Sequence, residues 1–185
     1  ALGSGAGRPV AMAAAEPGPQ GGGVKSGASS SRQTALKVFL DANVIFSASL
    51  PNAGAARGLL YQAARCGAMC VSSDRALAQA RRNLSSKAAH ALTGCAEMAA
   101  RIVTVPEPAQ AAIDIARDAG VVVKDAPVFA AALQEGAQLF VTGDMRHFGH
   151  LFGTQVEGVL ILPLRAAFER LTAMPTPRSV RGPAK

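Results

Sequence analysis

Three aspartates each sit just past an apolar run or at the opening of a helix, and this constrains the chain more than any other feature. They occur in KVFLDANV (Asp41), VVVKDAPVFAAAL (Asp125) and LFVTGDMRHF (Asp144). A buried strand that ends in Asp delivers a carboxylate to the carboxyl edge of a parallel sheet, where open α/β folds bind ligands. Carboxylates gathered at such an edge repel one another unless they are protonated or neutralised by a cation. A hard divalent ion such as Mg²⁺ or Mn²⁺ is the simplest neutraliser, because it prefers oxygen ligands.

The pattern between these points supports such a sheet. Residues 36–40, 69–71, 101–105, 139–142 and 158–162 read as strands, short and rich in apolar side chains. Residues 53–66, 87–100, 107–119, 125–134, 145–151 and 164–171 read as helices, as does a segment running from a cap at Ser72 or Ser73 to about Leu84. Pro127 falls in a first helical turn, where proline is tolerated, and Gly94 weakens the 87–100 segment. Strands alternating with helices predict a three-layer α/β/α fold with a mostly parallel sheet of four to five strands.

Composition places the boundaries. Residues 1–35 are Gly-, Ala-, Ser- and Pro-rich, lack aromatics, and read as a disordered leader or tag. Residues 36–171 form the domain, and residues 172–185 read as a flexible basic tail. The formal charge of +7 is concentrated in these ends, since residues 36–171 hold 13 basic and 11 acidic side chains. That balance favours basic ends on a near-neutral domain over a dedicated nucleic-acid surface. Arg75, Arg81 and Arg82 read as a solvated helix face. Cys66, Cys70 and Cys95 have no zinc-type spacing and read as buried free thiols, which suits a reducing, cytoplasmic compartment. No segment approaches a membrane span. One Tyr and no Trp leave little for stacking on bases.

Four motifs in order carry a family resemblance: LDANVIFSA, SSDRALAQARRNL, KDAPVFAAAL and LFVTGDMRHF. Together they resemble the PIN domain, in particular the bacterial VapC-like toxins of toxin–antitoxin pairs, over about residues 36–171. The resemblance implies a metal-dependent ribonuclease that gathers acidic residues around Mg²⁺ or Mn²⁺ at the carboxyl edge of the sheet. It assigns Asp41, Asp125 and Asp144 as catalytic and metal-binding positions, with Asn43 and Thr142 beside them. It also implies an RNA substrate, an inhibitory antitoxin that covers the site, and a tendency to form homodimers.

The chain departs from the family pattern at its second acidic position. Ser73 and Asn83–Leu84 fit the motif, but Gln79 stands where Glu is usual. Glutamine keeps an acceptor oxygen and loses the charge, and Asp74 lies on another side of the helix and does not replace it. Arg146 stands where another acid is frequent. This leaves an alternative open, a catalytically degenerate PIN domain that serves as an RNA- or protein-binding scaffold. Each aspartate also has a purely structural role open to it: Asp125 and Asp144 as helix caps, Asp41 as a turn former with Asn43. His147 and His150 have a spacing that suits a metal, but no third ligand is evident, and surface or half-buried histidines are the expectation. Ser47 and Ser73 lack a His–Asp partner for nucleophilic chemistry, and no Gly-rich phosphate loop follows the first strand, which ranks a nucleotide-binding reading last.

Overall fold

The structure, a computed structural model, describes residues 35–52 and 54–176. The expectations for the leader and for the end of the basic tail lie outside those residues. In chain order the elements are β1 (Lys37–Leu40), α1 (Ala42–Ser49), α2 (Gly54–Arg65), β2 (Met69–Ser73), α3 (Asp74–Lys87), α4 (Leu92–Ala99) and β3 (Val103–Val105). They continue with α5 (Gln110–Asp118), α6 (Ala126–Gln134), β4 (Leu139–Thr142), α7 (Met145–Phe148), β5 (Gln155–Val156), β6 (Val159–Pro163) and α8 (Leu164–Thr172). Short 3-10 turns at Ala89–Ala91 and Gly149–Leu151 follow α3 and α7.

The fold is three-layered α/β/α around one sheet of order β3-β2-β1-β4-β6-β5. All pairs are parallel except β5 with β6. The sheet has six strands because of β5. That two-residue strand is too short to register as a pattern, and it folds back on β6 through Glu157 (φ 46°) and Gly158 (φ 84°), a left-handed pair suited to a tight hairpin. The central strands β1 and β4 read KVFL and LFVT and are almost wholly buried, which is why they show no alternation.

Helix α1 is not legible from propensity. Asn43, Val44 and Ile45 are all indifferent helix formers. Tertiary context decides instead: Asp41 accepts the Ala42 N–H at 2.6 Å, and Ala42, Val44, Ile45, Ala48 and Ser49 are buried. The expected helix over 87–100 is broken, with α3 running on to Lys87 and α4 starting at Leu92. Gly94 has a packing reason to sit in α4. A methyl at this position would collide with the Ser49 backbone carbonyl at the end of α1. Gly94→Ala is therefore expected to destabilise by about 1–3 kcal/mol through overpacking, although alanine is the better helix former. Urea midpoints check this, and a variant as stable as the parent would mean that α4 does not seat on α1 as described.

Aromatic packing sets where the chemistry lies. Phe140 of β4 meets Phe129 of α6 edge-on at 5.0 Å, Phe148 of α7 at 5.1 Å and Phe39 of β1 at 5.6 Å. Phe129, Phe140 and Phe148 are buried, so α6 and α7 are tied to the same strand. The start of α6 and the whole of α7 are thereby held at the carboxyl ends of β1 and β4. Among the described residues no helix is long and apolar enough to cross a membrane.

Candidate metal centre

Because β1 and β4 are paired neighbours, with Leu40 opposite Val141, the next residues of each strand face one another. Asp41 leaves β1 with its N–H on the Val141 carbonyl at 3.0 Å and turns into α1. Its side chain is 9% exposed and fully engaged. One oxygen accepts Ala42 N–H, and the other accepts the Thr142 hydroxyl at 2.7 Å and the Asn43 amide at 2.8 Å. The Asn43 carbonyl oxygen in turn accepts Gly143 N–H at 2.7 Å, which fixes the orientation of its amide. Burial, opposed by the Thr142 and Ala42 hydrogen bonds and assisted by the negative charges of Asp125 and Asp144, pushes the Asp41 carboxyl up to about 6.

Asp144 follows β4 and caps α7. One oxygen accepts the backbone N–H groups of Arg146 and His147 at 3.0 and 3.1 Å, and the other lies 2.7 Å from Nδ1 of His147. Burial alone would raise this carboxyl. The His147 ring and these backbone donors outweigh it and hold the group below the usual carboxylate range.

Asp125 arrives from a different direction. The apolar VVVK run before it is not a strand: Val122 and Val123 are exposed in the loop that enters α6. Asp125 occupies the N-cap position of α6 but makes no side-chain capping bond. Its Oδ2 is buried, has no hydrogen-bond partner, and lies 3.3 Å from Nδ1 of His147. Burial raises the Asp125 carboxyl, with Asp144 adding to the effect and Lys124 and His147 opposing it.

Among the described residues, one ligand atom each from Asp125, Asp144 and His147 lie within 4.8 Å of one another. Two carboxylates, one of them with an orphaned buried oxygen, and an imidazole nitrogen fit a divalent cation, which would supply the partner Asp125 lacks. Asp41 lies outside this group of three, behind Thr142 and Asn43, though close enough for its charge to be felt. His147 is half-buried, as expected, but the structure groups it with Asp125 and Asp144 rather than with His150, which is exposed; the local signal for this is its position one helical turn after Asp144.

The other expected residues distribute as follows. Ser73 caps α3, accepting Ala76 N–H at 3.2 Å. Gln79 is half-buried, one turn before Asn83, and Asn83 lines a cavity of about 180 Å³ with Asn43, Phe46 and Lys87. Asp74, Arg75, Arg81, Arg82 and Arg146 are exposed, and Cys66, Cys70 and Cys95 are buried and free. Burial, with Cys66 adding to it, pushes the Cys70 thiol up to about 12, which makes it inert.

No protein-family model matches the chain, and none of the curated proteins matches it. Solved structures do. VapBC2 from Rickettsia felis, bound to a DNA fragment from its promoter, matches with a TM-score of 0.54 at 15% identity, covering 69% of this chain and 98% of that one. The fold is that of a PIN domain. PAE2754 from Pyrobaculum aerophilum matches with the same TM-score at 18% identity, covering 76% of this chain and 99% of the other. At these identities the PIN likeness is one of fold, and the chemistry has to be argued from the side chains.

Proposed function

We propose that this PIN domain is a divalent-metal-dependent endoribonuclease, the toxin of a toxin–antitoxin pair acting on RNA in the cytoplasm. The observation that carries the reading is Asp125 Oδ2, a buried carboxylate oxygen without a hydrogen bond, facing Asp144 and His147. A structural aspartate at an N-cap would spend that oxygen on backbone N–H groups, and this one does not.

Asp125 and Asp144 would hold Mg²⁺ or Mn²⁺, with Asp41 contributing the third negative charge from behind Thr142. When bound, the cation lowers the pKa of a water and neutralises charge on the phosphate. The chain's own residues do the rest. Asn43 and Thr142 lock Asp41 in place through hydrogen bonds of 2.7–2.8 Å. Lys124, next to Asp125, and Arg146, two residues after Asp144, are both exposed and draw in the RNA backbone. Val123 and Met145, 67% and 69% exposed, flank the same aspartates and offer apolar ground to an antitoxin that covers the centre. A second copy of the chain is a further expected partner.

The test is cleavage of a structured RNA in Mn²⁺, in Mg²⁺ and in chelator, with Gln79→Glu alongside. Cleavage that is weak in the wild type and absent in chelator is the expected result. Gln79→Glu should tighten metal binding about 5- to 150-fold, the worth of about 1–3 kcal/mol for one added charge–metal contact. Asp144→Asn in that background should erase the gain. Brisk wild-type cleavage that Gln79→Glu slows would mean that the glutamine is a working contact.

The neutral Gln79 supports a second reading, a degenerate PIN domain retained as an RNA- or protein-binding scaffold. Absence of cleavage by both proteins, with metal bound to the variant, would favour it.

A further inference from the structure

We propose that His147 is itself a ligand of the cation, giving the centre a mixed oxygen–nitrogen donor set that selects first-row transition dications over Mg²⁺. This rests on the reading above that a cation sits between Asp125 and Asp144. The sequence pattern of the fold points to an all-carboxylate site, so the histidine changes the expected chemistry.

Geometry is the first support. Nδ1 of His147 lies 2.7 Å from Asp144 Oδ2 and 3.3 Å from Asp125 Oδ2. Two ligands about 2.1 Å from one ion and at right angles to each other are about 3 Å apart, so these separations are those of adjacent positions around a metal. An imidazole placed only to orient Asp144 would have no reason to bring the same nitrogen beside Asp125.

The second support is how little freedom His147 has. Its backbone N–H is held by Asp144 Oδ1, and the next residue, Phe148, is buried against Phe140. The ring is half-buried and presented to the two carboxylates at little further entropic cost. His150, one turn on, is exposed and outside the group, so it serves as an internal control.

The consequence follows from ligand preference. Mg²⁺ favours oxygen donors and keeps much of its water, whereas imidazole nitrogen adds affinity along the series from Mn²⁺ towards Co²⁺ and Zn²⁺. The competing account is that His147 donates a hydrogen bond to Asp144 from outside the coordination sphere, in which case nitrogen never touches the metal.

Electron spin-echo measurements on the Mn²⁺-loaded full chain separate the two accounts, combined with calorimetric affinities for Co²⁺, Mn²⁺ and Mg²⁺. Expected is ¹⁴N coupling to Mn²⁺ in the wild type and in His150→Gln, absent from His147→Gln. Labelling histidine with ¹⁵N should replace that coupling in the wild type, which keeps the test independent of whether the variant folds. His147→Gln should lose about tenfold or more in Co²⁺ affinity, with Mg²⁺ changed by less than about threefold. Mn²⁺ binding without histidine nitrogen coupling would overturn this inference and leave the metal-nuclease reading standing. Failure of all three ions to bind at millimolar concentration would overturn both.

Discussion

Asp125→Asn is expected to lower metal-dependent RNA cleavage by about a hundred- to a thousandfold, the cost of losing several kcal/mol of charge stabilisation at the metal. The same substitution should leave the metal-free fold within about 1 kcal/mol of the parent. Both halves come from one arrangement. Asp125 contributes nothing to capping α6, and its Oδ2 has no hydrogen bond to lose. Burial raises its carboxyl, so the folded protein carries this charge at a cost that an amide does not incur. On the proposed reading the side chain is thus dispensable to the fold and needed only by the cation. Thermal melts give the companion measurement. Mn²⁺ at about a hundred times its dissociation constant should stabilise the parent by about 2.7 kcal/mol, and this gain should vanish in the variant. A variant that cleaves RNA and responds to Mn²⁺ like the parent would remove Asp125 from the centre.

That split between a residue's worth to the fold and to the site also explains what was legible in the sequence. The central strands declared themselves because a strand buried on both faces is a short unbroken apolar run, as in KVFL and LFVT. The aspartates after them stood out because charge is scarce in such surroundings. Helix α1 did not stand out, because its stability comes from a cap and from burial between the sheet and neighbouring helices rather than from residue propensities. The 87–100 segment looked continuous because nothing local marks the 3-10 turn after Lys87. Gly94 was visible as a weak helix residue, but its reason, the Ser49 carbonyl, is 45 positions away in the chain. The spacing of His147 and His150 points away from the group His147 joins, for a similar cause. Its spacing to Asp144 is local, whereas its approach to Asp125 exists only because Phe129 and Phe148 share Phe140 as a packing partner. Sequence alone groups Asp41 with the other two aspartates, and part of the network that occupies its oxygens comes from Thr142, 101 residues later.

In chelator, the protein should become more stable as pH falls from about 7.5 to 4, contrary to the usual behaviour of paired carboxylates. Asp41 carries the effect. Its folded carboxyl is raised from 3.8 to about 6. Between those values the folded state binds the proton more tightly than the unfolded state, so stability rises on acidification and is lost as pH climbs through the folded value. The full shift corresponds to about 3 kcal/mol, reached only below the unfolded value. Asp125 is raised too and acts in the same sense, whereas Asp144 is lowered and its contribution is lost only as pH falls below 3.8. Asp41→Asn isolates this effect. Asparagine still accepts the Ala42 N–H as an N-cap, and it does not titrate. The stability of the parent minus that of the variant, from urea unfolding in chelator, should therefore shift by about 2.4 kcal/mol in the parent's favour between pH 7.5 and 4. The absolute difference at neutral pH is a poorer measure. There the amide relieves a buried charge but turns a donor towards the Asn43 amide and the Thr142 hydroxyl, and the two effects oppose. A difference that stays flat with pH would mean that Asp41 is solvated when ionised, and that its place behind Thr142 and Asn43 is not the closed one described. Adding Mn²⁺ should flatten the parent's curve at neutral pH, because a cation held by Asp125 and Asp144 supplies the positive charge that the proton otherwise brings.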